Sequence, residues 1–343
     1  MAELEKLRGV SADDIEKIMG VAKADIEKVM GVEVPSMTSY QGNRGIAMGG
    51  QQVNTSGSLD VIEYKAMTSD SDTLDFGNLS AARQHAGTSG NDTRSVAMAG
   101  YDDSSEVNII EYVTIASTGN TTDFGDMVVA RRYGGCSGSG IRGLYHSGHT
   151  SGTHVDNIDY ITIASAGDAT DFGDYTRATG SGRSGNAHTT RGIWWMSWDG
   201  DYSNLDANYI TFASTGNAAD FGDWSAAVAM PAAIGLIESK NIWGGGYTSG
   251  ASSVWDSMEY ITPTSTGNTT SQGDLGSATT DAAGKFTNGT RGELWGGGYY
   301  AHYEVQKVTI ASTGDASHAG DVREHVSTSG NKARTYWDGW TGD

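Results

Sequence analysis

Three histidines, His146, His149 and His154, fall within one nine-residue stretch. Neutral imidazoles at that density are the side chains that hold transition metals. The stretch around them is rich in Gly and Ser, so it predicts a loop with no fixed ligand geometry, and surface histidines are the reading we adopt. Asp70, Asp72 and Asp75 alternate in a second loop, as oxygen ligands for a hard cation would. Their counterparts elsewhere in the chain are Thr118 and Asn120, or Ala166 and Asp168, which reduces the alternation to a turn preference with calcium as the alternative. Trp194, Trp195, Trp198 and Tyr202 cluster in one segment. Exposed rings of this kind stack on sugars, and Trp194, Trp198 and Tyr202 are the candidate glycan contacts. Packing inside the fold is the reading favoured for the cluster as a whole, and Trp195 in particular aligns with the core-filling residues of other segments. No nucleophile–base set is legible, because Ser and Thr occur throughout. With 42 acids no catalytic carboxylate pair can be singled out. The Gly-Gly phrases are followed by no lysine and no helix start, so they are not phosphate loops. The residues therefore predict no catalytic set, no bound metal and no cofactor.

What could position such residues follows from composition. The chain has 343 residues, 37% hydrophobic, with 49 glycines and three prolines. Its net charge of −20 and pI near 4.6 oppose a nucleic-acid groove, which needs clustered Lys and Arg. No apolar run reaches the roughly 18 residues of a membrane-spanning helix, so no membrane insertion is expected. The charged first 20 residues predict no signal peptide. The single cysteine, Cys136, can form no internal disulfide.

A repeat organises most of the sequence. Its anchor is a tyrosine, at Tyr64, Tyr112, Tyr160, Tyr209 and Tyr260, with a sixth copy that loses the ring at Gln306-Lys307-Val308. Successive anchors are 48, 48, 49, 51 and 47 residues apart. Each is followed by Asp-Phe-Gly (75–77, 123–125, 171–173, 220–222), which decays to Ser271-Gln272-Gly273 and His318-Ala319-Gly320. Each is preceded by a phrase that opens with Arg in most copies, such as Arg44 to Gly50 and Arg94 to Gly100, and runs from Asn241 to Gly245 in the fifth. In the second copy the pattern predicts four short antiparallel strands. The first runs from His85 to Ser89. The second, Arg94 to Gly100, alternates apolar residues. The third, Ile109 to Ser117, is rich in β-branched and aromatic residues. A tight turn at Thr118-Gly119-Asn120 leads to a fourth strand near Phe124.

Four such strands cannot cover both faces of their own sheet, so successive sheets must stack around an axis as propeller blades. The equivalent strand-two residues Met48, Met98, His146, Trp195, Trp243 and Trp295 are expected to fill the gaps between blades. The anchoring tyrosine and the Phe are expected to pack on the next blade. Repeats lie near 36–80, 81–128, 129–176, 177–225, 226–276 and 277–323, with a partial copy at 324–343. Strands one and two occur seven times and strands three and four six times. Six to seven four-stranded blades are expected, with the seventh copy favouring seven.

A strand two ending in Gly-Gly, a tyrosine in strand three and an aromatic in strand four together resemble the kelch repeat, as do Ala82-Arg83 and Ala130-Arg131 before strand one. The repeat length also suits kelch, at about 50 residues. The strand-four aromatic is Phe where kelch usually has Trp, which marks a divergent relative. The resemblance implies an all-β, kelch-like β-propeller over residues 36–343. Copper oxidases also use kelch propellers, with a modified cysteine–tyrosine pair; Cys136 and Tyr133 lie close in sequence, but no matching ligand set accompanies them. The wording of residues 112–126, Tyr-Val-Thr-Ile-Ala-Ser-Thr-Gly-Asn-Thr-Thr-Asp-Phe-Gly-Asp, resembles repeats in structural proteins of marine tailed phages.

Residues 1–35 differ in kind. The first 34 hold eight acids and five bases, and an 11-residue repeat marked by Val10, Val21 and Val32. Ile15, Ile18 and Met19, then Ile26, Val29 and Met30, recur at helical spacing and form one apolar stripe. Two short helices joined at Gly20 are predicted, the first with Ser11 as its N-cap. Helices this short need a surface to rest on. They pack on the propeller, or form a small independent helical domain, or dock into a partner through Leu7, Val10, Ile15, Ile18, Met19, Val21, Ile26, Val29 and Met30, the last being the reading favoured. The expectation is a non-enzymatic virion protein, assembled in the host cytoplasm, whose propeller displays or adheres and whose residues 1–34 bind other virion proteins, with oligomerisation in the particle allowed. A tail-fibre-like module recognising a host surface glycan is the alternative, and a propeller oxidase or glycan hydrolase a third.

Overall fold

The computed structural model describes residues 44–52, 57–179, 185–187, 190–195, 205–229, 231–237, 239–248, 254–279, 283–296, 304–322, 325–326, 332–334 and 339–342. The helices expected in residues 1–35, with their nine docking residues, lie outside this set, as do Trp198 and Tyr202. Among the described residues every regular element is a β-strand.

The strands form six antiparallel blades of a propeller. The second blade shows the plan. Gly87–Gly90 is its innermost strand, followed outward by Arg94–Met98, Ile109–Thr114 and Thr122–Asp126. The third blade uses Gly135–Gly138, Arg142–His146, Thr153–Thr162 and Thr170–Thr179, with a small added strand at His149–Thr150. The fourth, fifth and sixth repeat the order. The first blade has a split origin. Arg44–Gln52, Ser58–Ala66 and Leu74–Asn78 supply three strands, and Gly339–Gly342 pairs with Arg44–Gln52 from the far end of the chain. The count is therefore six, not the seven favoured by the copy number. The last copy completes the first blade instead of starting another, which covers the edge a half blade would expose.

Inner strands are written in Gly, Ser, Thr and Ala because the blades converge there. A Cβ on Gly185 would stand 2.0 Å from the carbonyl oxygen of Cys136 in the neighbouring blade. Farther out, Met48, Met98, His146, Trp195, Trp243 and Trp295 are all buried, as blade-filling residues should be. Trp195 meets Trp243 of the next blade edge-on at 5.3 Å, and Trp295 stacks on Phe286 at 3.8 Å. The tyrosines meet the Phe of their own blade, as in Tyr112–Phe124 at 5.9 Å. Phe76 also belongs to a core cluster with Val113 and Ile115 of the following blade.

The tight turn expected between strands three and four is a seven-residue loop, 115–121. It reaches across to the preceding blade. Gly119 N–H donates to Phe76 O at 2.8 Å, Thr121 N–H donates to Asn78 O at 3.0 Å, and Asn120 Oδ1 accepts Asn78 N–H at 3.0 Å. The same three bonds recur where Gly167, Asp168 and Ala169 meet Phe124 and Asp126. They recur again at Gly216–Ala218, Gly267–Thr269 and Gly314–Ala316. At the sixth junction Thr73 N–H donates to Asp321 O at 3.0 Å, and Asp72 Oδ1 accepts Asp321 N–H at 3.1 Å. The Gly-Asn/Asp pair of one repeat is thus the latch for the Phe-Gly-Asp of the repeat before it.

A second tie uses the Arg that opens strand two. Arg94 lies over Tyr112 at 4.4 Å and donates to Ile163 O in the next blade at 2.9 Å. Arg44, Arg142, Arg191 and Lys240 act in the same way on Tyr64, Tyr160, Tyr209 and Tyr260. In the sixth blade Lys307 replaces the tyrosine, and there Asp70 of the first blade accepts from Arg291 at 2.7 Å and from Lys307. Loss of the ring is offset by a carboxylate in the facing hairpin.

Candidate functional site

Polar groups that might have served chemistry are first claimed by the fold. The residue before each anchor position, Glu63, Glu111, Asp159, Asn208, Glu259 or Gln306, is buried. Each needs partners there. Glu63 accepts from Thr73 at 2.9 Å; Glu111 pairs with buried Arg83 at 2.6 Å; Asp159 pairs with buried Arg131 at 2.8 Å. Burial pushes the Asp159 carboxyl up, against the pull of Arg131. Buried Glu293 collects buried Lys65 at 2.7 Å, Trp295 Nε1 at 2.8 Å and the partly exposed Arg291. Burial also pulls the Lys65 ammonium down, opposed by Glu293.

The sequence-predicted residues divide clearly. His146 is buried, 4.3 Å from the Trp194 ring and 5.6 Å from Tyr175. His149 and His154 face each other across a hairpin, rings 5.9 Å apart. Trp194 is itself fully buried, which leaves its ring no open face for a sugar. Asp70 and Asp72 are engaged in the sixth junction as described. Cys136 packs in the core with Tyr145. Among the described residues no group of three or more His, Cys, Asp or Glu side chains could hold a metal ion.

A second set of polar and aromatic residues gathers at one end of the second and third blades. Strand two ends there in a residue at positive φ: Ala99 at 60° and Ser147 at 52°. The next residue, Gly100 or Gly148, donates its N–H to Arg131 O at 2.9 Å or Thr179 O at 3.0 Å, tying the corner to the segment that enters the next blade. One residue further, Tyr101 exchanges two backbone hydrogen bonds with Gln84, and His149 exchanges two with Arg132. These corners hold a cleft of about 450 Å³, lined by Gln51, Gln84, Tyr101, Asp103, Arg132 and Tyr133.

Arg132 organises the cleft. Its guanidinium lies 4.2 Å from the centre of Tyr101 and 5.1 Å from that of Tyr133, and its Nε stands 3.4 Å from Glu106. Glu106 is also 3.4 Å from His149 Nδ1. Tyr133 carries His85 against it at 4.0 Å. Asp103 Oδ1 accepts from Ser58 Oγ at 2.6 Å and from Gln84 Nε2 at 3.0 Å, and Oδ2 accepts from Ser58 N–H at 2.9 Å. Burial works to raise the Asp103 carboxyl, but the bonds from Ser58 and Gln84 prevail and hold it below the usual range. It is therefore an ionised acceptor in a fixed place. The arrangement offers donors, acceptors and aromatic surface, which suits recognition of a small polar molecule.

Sequence reading missed Tyr101, Arg132 and Tyr133. One signal pointed to them: Tyr101 and Trp198 each stand seven residues after the Arg opening strand two, at Arg94 and Arg191. The logic that picked Trp198 as a rim aromatic applies equally to Tyr101. No protein-family model matches the chain, and no curated protein is significantly similar to it.

Proposed function

We propose that the chain is a non-enzymatic structural protein of a phage particle, a propeller that displays one face and is fastened to other virion proteins by residues 1–34. The observation that carries this reading is the uniform latching of the ring. Backbone bonds of one kind join each blade to the next, so the end loops are held out on a rigid support. The repeat wording at 112–126 and the amphipathic stripe in residues 1–34 supply the virion setting and the anchor. The kelch-like order of motifs belongs to the same reading. Removing residues 1–34 is expected to leave a propeller that melts at an unchanged temperature but no longer joins particles. Normal incorporation of that truncation would overturn the anchoring role.

A second reading, compatible with the first, is receptor recognition: a tail-fibre-like module that binds host surface glycan. The cleft around Arg132 favours it. An array of host-envelope glycans, probed with and without calcium, tests it, and an array without hits would refute it.

A further inference from the structure

We infer that the cleft between Tyr101 and Tyr133 is a subsite for a short neutral saccharide; this rests on the receptor-recognition reading and gives it a place and a ligand class. Three observations carry it. The first is chemical balance. The cleft brings one guanidinium, which already faces Glu106, together with one ionised carboxylate, Asp103. It has no excess positive charge to hold a phosphate or a uronate, and the chain's net charge of −20 repels polyanions at longer range. Amides at Gln51 and Gln84, the carboxylate and the guanidinium instead match vicinal hydroxyls, which need donors and acceptors together.

The second is preorganisation. Arg132 is stacked on two phenol rings, and Asp103 is pinned by Ser58 and Gln84. Little side-chain freedom remains to be lost when a ligand arrives. The volume, about 450 Å³, falls in the roughly 300–1,000 Å³ range of small-molecule clefts.

The third is a difference in what the corners carry. Among the described residues the six non-glycine positions with positive φ fall into three pairs 48 residues apart, His85/Tyr133, Ala99/Ser147 and Asp103/Ser151, so this backbone form belongs to the repeat, and the side chains mounted on it are what set the cleft apart. The fifth blade makes the same corner with other residues. There Tyr247 pairs with Ala229, at the place where His149 pairs with Arg132 in the third. Propeller geometry therefore does not demand an arginine at that position.

The test uses the full chain against oligosaccharides ending in glucose, galactose, mannose or N-acetylglucosamine, with glucuronate-ended counterparts. A neutral oligosaccharide is expected to bind. Tyr101→Ala should weaken it about tenfold or more, while Tyr101→Phe retains most of the affinity because the ring surface remains. Asp75→Asn, on the outer rim, should change nothing. Melting temperatures report whether each variant is folded; should Tyr101→Ala unfold, Gln51→Ala is expected to show the loss. Binding of neutral sugars that neither Tyr101→Ala nor Gln51→Ala weakens would refute this site and leave the receptor reading intact. Preference for the glucuronate-ended series would refute the ligand class. Absence of binding to every oligosaccharide in the panel would refute both the site and the reading on which it rests.

Discussion

Gly125 and Gly167 form a matched pair that isolates the energetics of the blade latch. Both sit at positive φ, 148° and 157°. A Cβ on Gly125 would lie 2.5 Å from the carbonyl carbon and oxygen of Gly167 in the next blade; a Cβ on Gly167 would meet nothing within 4 Å. Alanine at Gly167 therefore carries only the conformational cost of an L-residue in that region, about 1–3 kcal/mol. Alanine at Gly125 carries the same cost and also pushes the neighbouring loop away by on the order of 1 Å, beyond normal hydrogen-bond reach. Two backbone bonds are then at stake, Gly167 N–H to Phe124 O at 2.7 Å and Ala169 N–H to Asp126 O at 2.8 Å. At about 0.5–1.5 kcal/mol each, Gly125→Ala should cost about 1–3 kcal/mol more than Gly167→Ala. Urea unfolding of the two variants side by side measures that difference. Equal destabilisation would show that the close approach of the loop contributes nothing, and would refute the latch as the source of ring rigidity.

Two further outcomes follow from the sixth junction. Glu293→Gln leaves buried Lys65 facing a neutral amide and should cost about 3–5 kcal/mol in chemical denaturation, since breaking a buried pair strands its partner; a loss below about 1 kcal/mol would contradict this. Asp70, held by Lys307 and Arg291, has its carboxyl lowered from 3.8 to about 2. A group lowered on folding stabilises above its unfolded value, so this contribution should be present above about pH 4 and vanish as pH falls to about 2. The side chain is 52% exposed, so salt should weaken the effect. Asp70→Asn should remove that component from a melting-temperature profile over the same window, and an unchanged profile would count against it.

Much of the ring was legible because blade packing is periodic. The row from Met48 to Trp295 recurs at one position of each repeat, and it is buried as expected. The roles of the turn motif were not legible. Asn120 and Asp168 read as turn formers, yet their side chains accept a backbone N–H some 42 residues away in sequence. Local propensity carries no trace of a partner that only stacking brings near. Blade number failed for a related reason: copies can be counted in a sequence, but whether the last copy opens a new blade or completes the first depends on closure. The cleft residues were hidden differently. Tyr101, Arg132 and Tyr133 lie in loops where the repeat is weakest, and only the corner geometry brings them together. Trp194, a candidate contact, is a buried ring against His146 of the preceding blade, while Trp195 on the opposite strand face meets Trp243 of the next, because blades cover both faces of this strand.

The central claim is that the chain closes on itself as six blades, with Gly339–Gly342 beside Arg44–Gln52. Arg44 and Gly342 are direct antiparallel partners. Such Cα atoms stand about 4.5–5.5 Å apart, within the roughly 4.4–6.8 Å that a disulfide spans. The double variant Arg44→Cys/Gly342→Cys is therefore predicted to form an intramolecular disulfide under mild oxidation, seen by mass spectrometry of the non-reduced digest. Only free thiols, or only links between separate chains, would contradict the six-blade closure.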